Sequence, residues 1–196
     1  MAQLLFFDQG HKYTLDGVEL PSVSELCRFI SREIYGTVAQ YTLDMAADRG
    51  TRVHKATETL DVYGKVEVAD DIAPYVQAYL KFRREHDIKW NMVERSIANQ
   101  KERYAGTIDR YGDLDGVKSL VDIKTSYTVH KRLAIAQLNL YRWMIEEEGH
   151  AVEKQYILHL TKEGYKLVEI EKNNDVPRAL LTLHRLMQKK GRKKNA

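Results

Sequence analysis

The chain has 196 residues and a single cysteine, Cys27, which excludes an internal disulfide framework and any four-cysteine metal or iron–sulfur site. Its residues are 43% hydrophobic and 30% charged, a globular profile with enough length to bury its own core. A net charge of +3 permits an anionic partner without demanding one. No run approaches the ~20 apolar residues of a membrane span. The opening "MAQLLFFDQGHKYTLDG" has no basic start and only a short apolar run, so no signal peptide is expected and the cytoplasm is the natural compartment.

Gln9-Gly10 and Asp16-Gly17 are turn signals and predict a small N-terminal β-hairpin. Ser22 followed by Glu25 is a capping-box pattern, opening a helix to about Ile34. Helical stretches follow from about Thr37 to Tyr63, in two pieces around Asp48–Thr51, and from about Ile72 to His86. The period then shortens. "WNMVERSIANQ", "RYAGTIDRYG" and "VKSLVDIKTS" read as three strands, with a strong turn at "GDLDG". "HKRLAIAQLNLYRWMIEEEG" reads as a helix stopped by Gly149, and "AVEKQYILHL" and "GYKLVEIEK" as a β pair. The last helix has Asp175 as a cap and Pro177 in its first turn. This order predicts an α/β protein with a mixed central sheet flanked by helices. One domain is expected over residues 1–188, with "KKGRKK" beginning a basic, disordered tail over 189–196.

The strand "SLVDIKTS" projects Asp122 and Lys124 to one face and Val121 and Ile123 to the other. Asp109 lies thirteen residues before Asp122, across one tight turn. A hairpin of that size brings the two carboxylates together, and they repel unless a cation lies between them. A divalent ion with hard oxygen ligands fills that role. The ammonium of Lys124 beside it would hold a water or stabilise charge on a phosphate. Two acids, a metal and a lysine suit hydrolysis of a phosphodiester. His54 and Glu58 are four apart on one helical face; alone they read as a histidine capped by its own glutamate, with metal ligation as the alternative. An imidazole ligand shifts preference from Mg²⁺ toward Mn²⁺. Gln137 and Tyr141 share a face in the same way, turned to solvent or to the site.

The order Gly50-x-x-x-His54-x-x-x-Glu58, Gly106-Thr107-Ile108-Asp109, Asp122-Ile123-Lys124, Gln137-x-x-x-Tyr141 resembles the PD-(D/E)XK nuclease superfamily, and within it the RecB-like exonuclease branch. That branch includes phage exonucleases, CRISPR-adaptation nucleases and the mitochondrial genome-maintenance exonuclease. "HKYTLDGVELPSVSEL" is similar to the opening of stand-alone phage and bacterial members, so the resemblance runs from residue 11 to about 170. It implies a restriction-endonuclease-like core and a metal-dependent DNA exonuclease acting in recombination, repair or replication. His54, Asp109, Asp122 and the carbonyl of Ile123 would hold Mg²⁺ or Mn²⁺, and Lys124 would position the attacking water. Glu58 and Glu94 would support the ligands, and Gln137 and Tyr141 the site and the DNA backbone. With one cysteine, the chain would be of the cluster-free kind.

The implied partner is DNA, single-stranded or with a free end. Arg49, Arg52, Arg110, Lys131 and Arg132 lie beside motif positions and are candidates for phosphate contacts; Tyr104, Tyr111 and Tyr127 are candidates for base stacking. A structure-specific endonuclease of the same fold and a non-catalytic nucleic-acid-binding module are the competing readings. A homo-oligomer or a recombination-protein partner stays open.

Overall fold

The computed structural model describes residues 3–7 and 10–194, with side chains up to residue 188. Three short strands come first: β1 (Leu4–Phe7), β2 (Lys12–Leu15) and β3 (Val18–Leu20), an antiparallel sheet in that order. The expected hairpin thus gains a third strand, turned at Asp16 and Gly17, both at positive φ. Gln9 falls outside the described residues.

Ser22 Oγ accepts from the Glu25 N–H at 3.0 Å, as the capping box requires, and starts α1 (Val23–Leu26). The helix expected to continue is interrupted at Cys27 (φ −82°, ψ −2°) and resumes as α2 (Arg28–Tyr35). Conversely, α3 (Gln40–Tyr63) runs unbroken through the expected break. Gly50 costs a helix about 1 kcal/mol relative to alanine, too little to interrupt so long an element. α4 (Ala73–Glu85) follows, with proline in its first turn.

The central sheet is β4 (Ile88–Asn99), β5 (Tyr104–Leu114), β6 (Val117–Lys124), β7 (Lys154–Leu160) and β8 (Tyr165–Glu169), in that spatial order. Among the described strands of this sheet β6–β7 is the parallel pair, and α5 (Lys131–Glu147) makes the crossover. α6 (Asp175–Lys194) closes the fold. Of the expected basic tail, the side chains from 189 onward and residues 195–196 lie outside those described.

Two cores flank the sheet. Leu120, Ile108 and Ile157 pack with α1, α5 and α6 on one face. Val121, Ile123 and Leu158 pack with α3 and α4 on the other. A smaller cluster of Tyr13, Leu15, Leu20 and Ala105 joins the N-terminal sheet to β5. Among the described residues, no helix is long and apolar enough to cross a membrane.

Candidate metal centre

The ladder between β5 and β6 starts at the turn Leu114–Val117 and ends at Arg110–Val121. Asp109 and Asp122 are the next positions in register, where the two strands part. On its other side β6 stays paired, Ile123 opposite Leu158 of β7. The Ile123 peptide groups that face β5 therefore need other partners. Its N–H donates to Asp109 Oδ2 at 2.6 Å, and its carbonyl lies 3.1 Å from His54 Nε2. His54 reaches there from α3. Its Nδ1 lies 3.1 Å from Glu94 Oε1 and 3.6 Å from Asp109 Oδ1.

Glu94 enters by a backbone distortion. Its φ is +43°, and β4 pairs with β5 on either side, at Val93–Arg110 and Arg95–Ile108, but not at Glu94. A left-handed conformation at a glutamate persists only where its surroundings hold it. Here Arg110 does so, donating from Nη1 to Glu94 Oε1 at 2.9 Å and to the Asp109 carbonyl at 2.6 Å. The guanidinium is tethered in turn by Asp61 Oδ2 at 2.6 Å and Thr57 Oγ1 at 3.0 Å, with Tyr79 OH at 3.3 Å.

Donor atoms of His54, Glu94 and Asp109 all lie within 4.8 Å of one another. Asp122 is not in that group; its Oδ2 is 2.8 Å from Lys124 Nζ. The pairing keeps the lysine charged: burial opposes its charge, but Asp122 and Asp109 outweigh burial and hold its pKa above the ordinary lysine value. Burial likewise pushes both aspartates above the usual carboxylate range, only partly offset by His54 at Asp109 and by Lys124 at Asp122. At His54 burial again opposes charge, yet Asp109 and Glu94 raise its pKa to about 9. A carbonyl only accepts, so Nε2 carries a proton; Nδ1 faces carboxylates and carries another. The imidazolium sits as a cation among three oxygen acceptors.

That donor set suits a divalent ion: hard carboxylate and carbonyl oxygens with one imidazole, in a place already arranged around positive charge. A metal ligand must be neutral imidazole, so an ion taking this position displaces a proton.

These groups line a cleft of about 840 Å³ that also includes Gly50, Glu58, Gln137 and Tyr141. Glu58 accepts from Lys55 at 2.9 Å and is not among the partners of His54. Gln137 Oε1 is buried without a partner among the described residues. Tyr141 packs where Gly106 has no side chain: a Cβ there would lie 2.8 Å from the ring. The glycine of "GTID" is thus a close-approach position.

The proposed nucleic-acid contacts divide sharply. Arg110 has no exposed surface, and its donors are engaged as described, so it cannot touch a phosphate; it braces the site from behind. Tyr104 and Tyr111 are buried, with hydroxyls on the carbonyls of Leu140 and Ala151, and cannot stack bases. Arg49 donates to the Thr125 carbonyl at 3.1 Å and lies over Tyr75. Arg52 bridges Asp48 and Asp71. Arg132 pairs with Glu33 at 2.9 Å, while Lys131 and Tyr127 are exposed.

No family model matches this chain, and no curated protein does. Among solved structures it is similar to a candidate exonuclease from Eubacterium rectale, at 14% identity and a TM-score of 0.48, covering 84% of this chain and 76% of that one. It is also similar to a phage-related exonuclease from Haemophilus somnus 129PT, at 11% identity and a TM-score of 0.40, covering 82% and 88%.

Proposed function

We propose that this protein is a metal-dependent deoxyribonuclease of the PD-(D/E)XK superfamily, an exonuclease of the RecB-like branch that hydrolyses phosphodiester bonds in phage or bacterial DNA recombination, repair or replication. The observation that carries the reading is the convergence of His54, Glu94, Asp109 and the Ile123 carbonyl in one cleft, with the Asp122–Lys124 pair next in the same strand.

His54, Asp109, Glu94 and the Ile123 carbonyl would hold Mg²⁺ or Mn²⁺, with Asp122 completing the set on the side of Lys124. When bound, such an ion acidifies water and offsets charge on a phosphate. The chain's own groups do the rest. Lys124, whose charge Asp122 and Asp109 favour, donates to the attacking water or the phosphate oxygens. Asp122 aims that lysine. Gln137 Oε1, lacking a partner of its own, is placed to accept from a cleft water or a sugar hydroxyl.

The test is digestion of end-labelled single- and double-stranded DNA. Chelator abolishes cleavage, and Mg²⁺ or Mn²⁺ restores it. Asp109→Asn and Lys124→Ala each lower the rate at least about a hundred-fold while circular dichroism stays unchanged. A circular single strand resists if the enzyme needs an end. Wild-type rates in Lys124→Ala, or cleavage that survives chelation, would refute the assignment.

A further inference from the structure

Two aromatic rings at the edge of the cleft have no role in holding a metal. Phe6 of β1 is half-buried and His11, in the turn before β2, is exposed; both line the cleft that contains Asp109 and His54. Their rings meet edge to face, with centroids 5.0 Å apart and planes at 80°. His11 has φ +50°, a left-handed backbone that positions its ring there. Beneath them lies Tyr13, opposite Phe6 in the ladder and 4.8 Å from it between centroids.

This group is anchored to the catalytic strand. Tyr13 is fully buried, and its hydroxyl lies 2.9 Å from Thr107 Oγ1, which lies 2.9 Å from Ser96 Oγ. Thr107 and Asp109 are two apart on β5, so they share a face about 6.7 Å apart along the strand. Leu43, Ala46 and Ala47 of α3 also line the cleft with apolar side chains.

Charge points the same way. The Lys and Arg residues that line the cleft are Lys55 and Lys124, and each is already paired, with Glu58 and Asp122. Arg49 and Arg52 are engaged elsewhere. Among the described residues the cleft side chains thus offer little unmatched positive charge beyond the cation site, and base stacking is the remaining source of affinity.

We propose that Phe6 and His11 form a corner in which an unpaired nucleobase stacks on Phe6 and meets the edge of His11, beside the phosphate at Asp109, which makes the substrate a single strand. The proposal rests on the nuclease reading above. A base inside a duplex has both faces covered by its neighbours, and a terminal base reaches this position only by leaving its partner.

The test is fluorescence anisotropy with Ca²⁺ in place of Mg²⁺ or Mn²⁺, so that a hard divalent ion is present and binding is read in the absence of the catalytic metals. Wild type binds a labelled single-stranded oligonucleotide more tightly than a blunt duplex of equal length. Phe6→Ala weakens single-strand binding about five- to 150-fold, the loss of one stacked base, and Phe6→Tyr restores it. His11→Ala, at an exposed position, also weakens it. An oligonucleotide of abasic residues binds wild type as weakly as the normal one binds Phe6→Ala. Undiminished binding by Phe6→Ala and His11→Ala, indifference to abasic residues, or tighter duplex binding would overturn the proposal. Wild type that binds neither form here, and cleaves neither when Mg²⁺ or Mn²⁺ is supplied, would instead refute the nuclease reading.

Discussion

Glu94 shows how much one residue's backbone decides. At φ +43° it leaves the strand ladder and reaches both His54 and Arg110. Nothing in its sequence neighbourhood signals that conformation; Glu94 enters the sequence reading only as a support residue that the family resemblance implies. Glu94→Gln keeps the size and most hydrogen bonding but removes the charge, so Mn²⁺ affinity falls about ten-fold or more. Titration calorimetry checks this, and an unchanged affinity would remove Glu94 from the ligand set. His54 gives a pH signature in metal-free protein. Its folded pKa of about 9 exceeds the ordinary 6.5, so protonation stabilises the fold below 6.5 and this contribution fades as pH rises through 9. Urea unfolding of chelated wild type and His54→Gln should show a stability gap that narrows over that window. A gap that widens would contradict an imidazolium between Asp109 and Glu94.

At the scale of elements, the site exists because β5 and β6 separate after Arg110–Val121 while β6 stays paired with β7. The thirteen-residue spacing of Asp109 and Asp122 was legible because strand register is arithmetic. So was the shared face of Asp122 and Lys124. What stayed illegible is tertiary. Arg110 reads as a basic residue beside a motif, but Asp61 and Thr57 of α3, Tyr79 of α4 and Glu94 of β4 enclose it, and no local pattern announces a buried guanidinium. The unbroken α3 and the interruption at Cys27 are illegible for a similar reason: packing overrides weak local preferences. In the sequence Gly106 is only part of a motif, although it is the seat of Tyr141. Gly106→Ala places a Cβ 2.8 Å from that ring and should destabilise the protein by about 1–3 kcal/mol in urea unfolding. Unchanged stability would mean that α5 does not press on β5 there.

Over the whole molecule, the sheet divides the labour. One face packs α1, α5 and α6, the other α3 and α4, and the cleft opens where β5 and β6 diverge. The N-terminal sheet, tied to β5 through Tyr13 and Ala105, forms one wall. The mixed α/β architecture was readable from element order, but the placement of Phe6 and His11 on that wall was not, because it depends on how two sheets meet. The central claim is that distant residues assemble one divalent-cation site. Its most direct test is calorimetric titration of Mn²⁺ into chelator-stripped protein. Wild type should bind with release of a proton, and Asp109→Asn, folded by circular dichroism, should not bind. No heat from wild type, or equal binding by the Asp109→Asn variant, would contradict the claim.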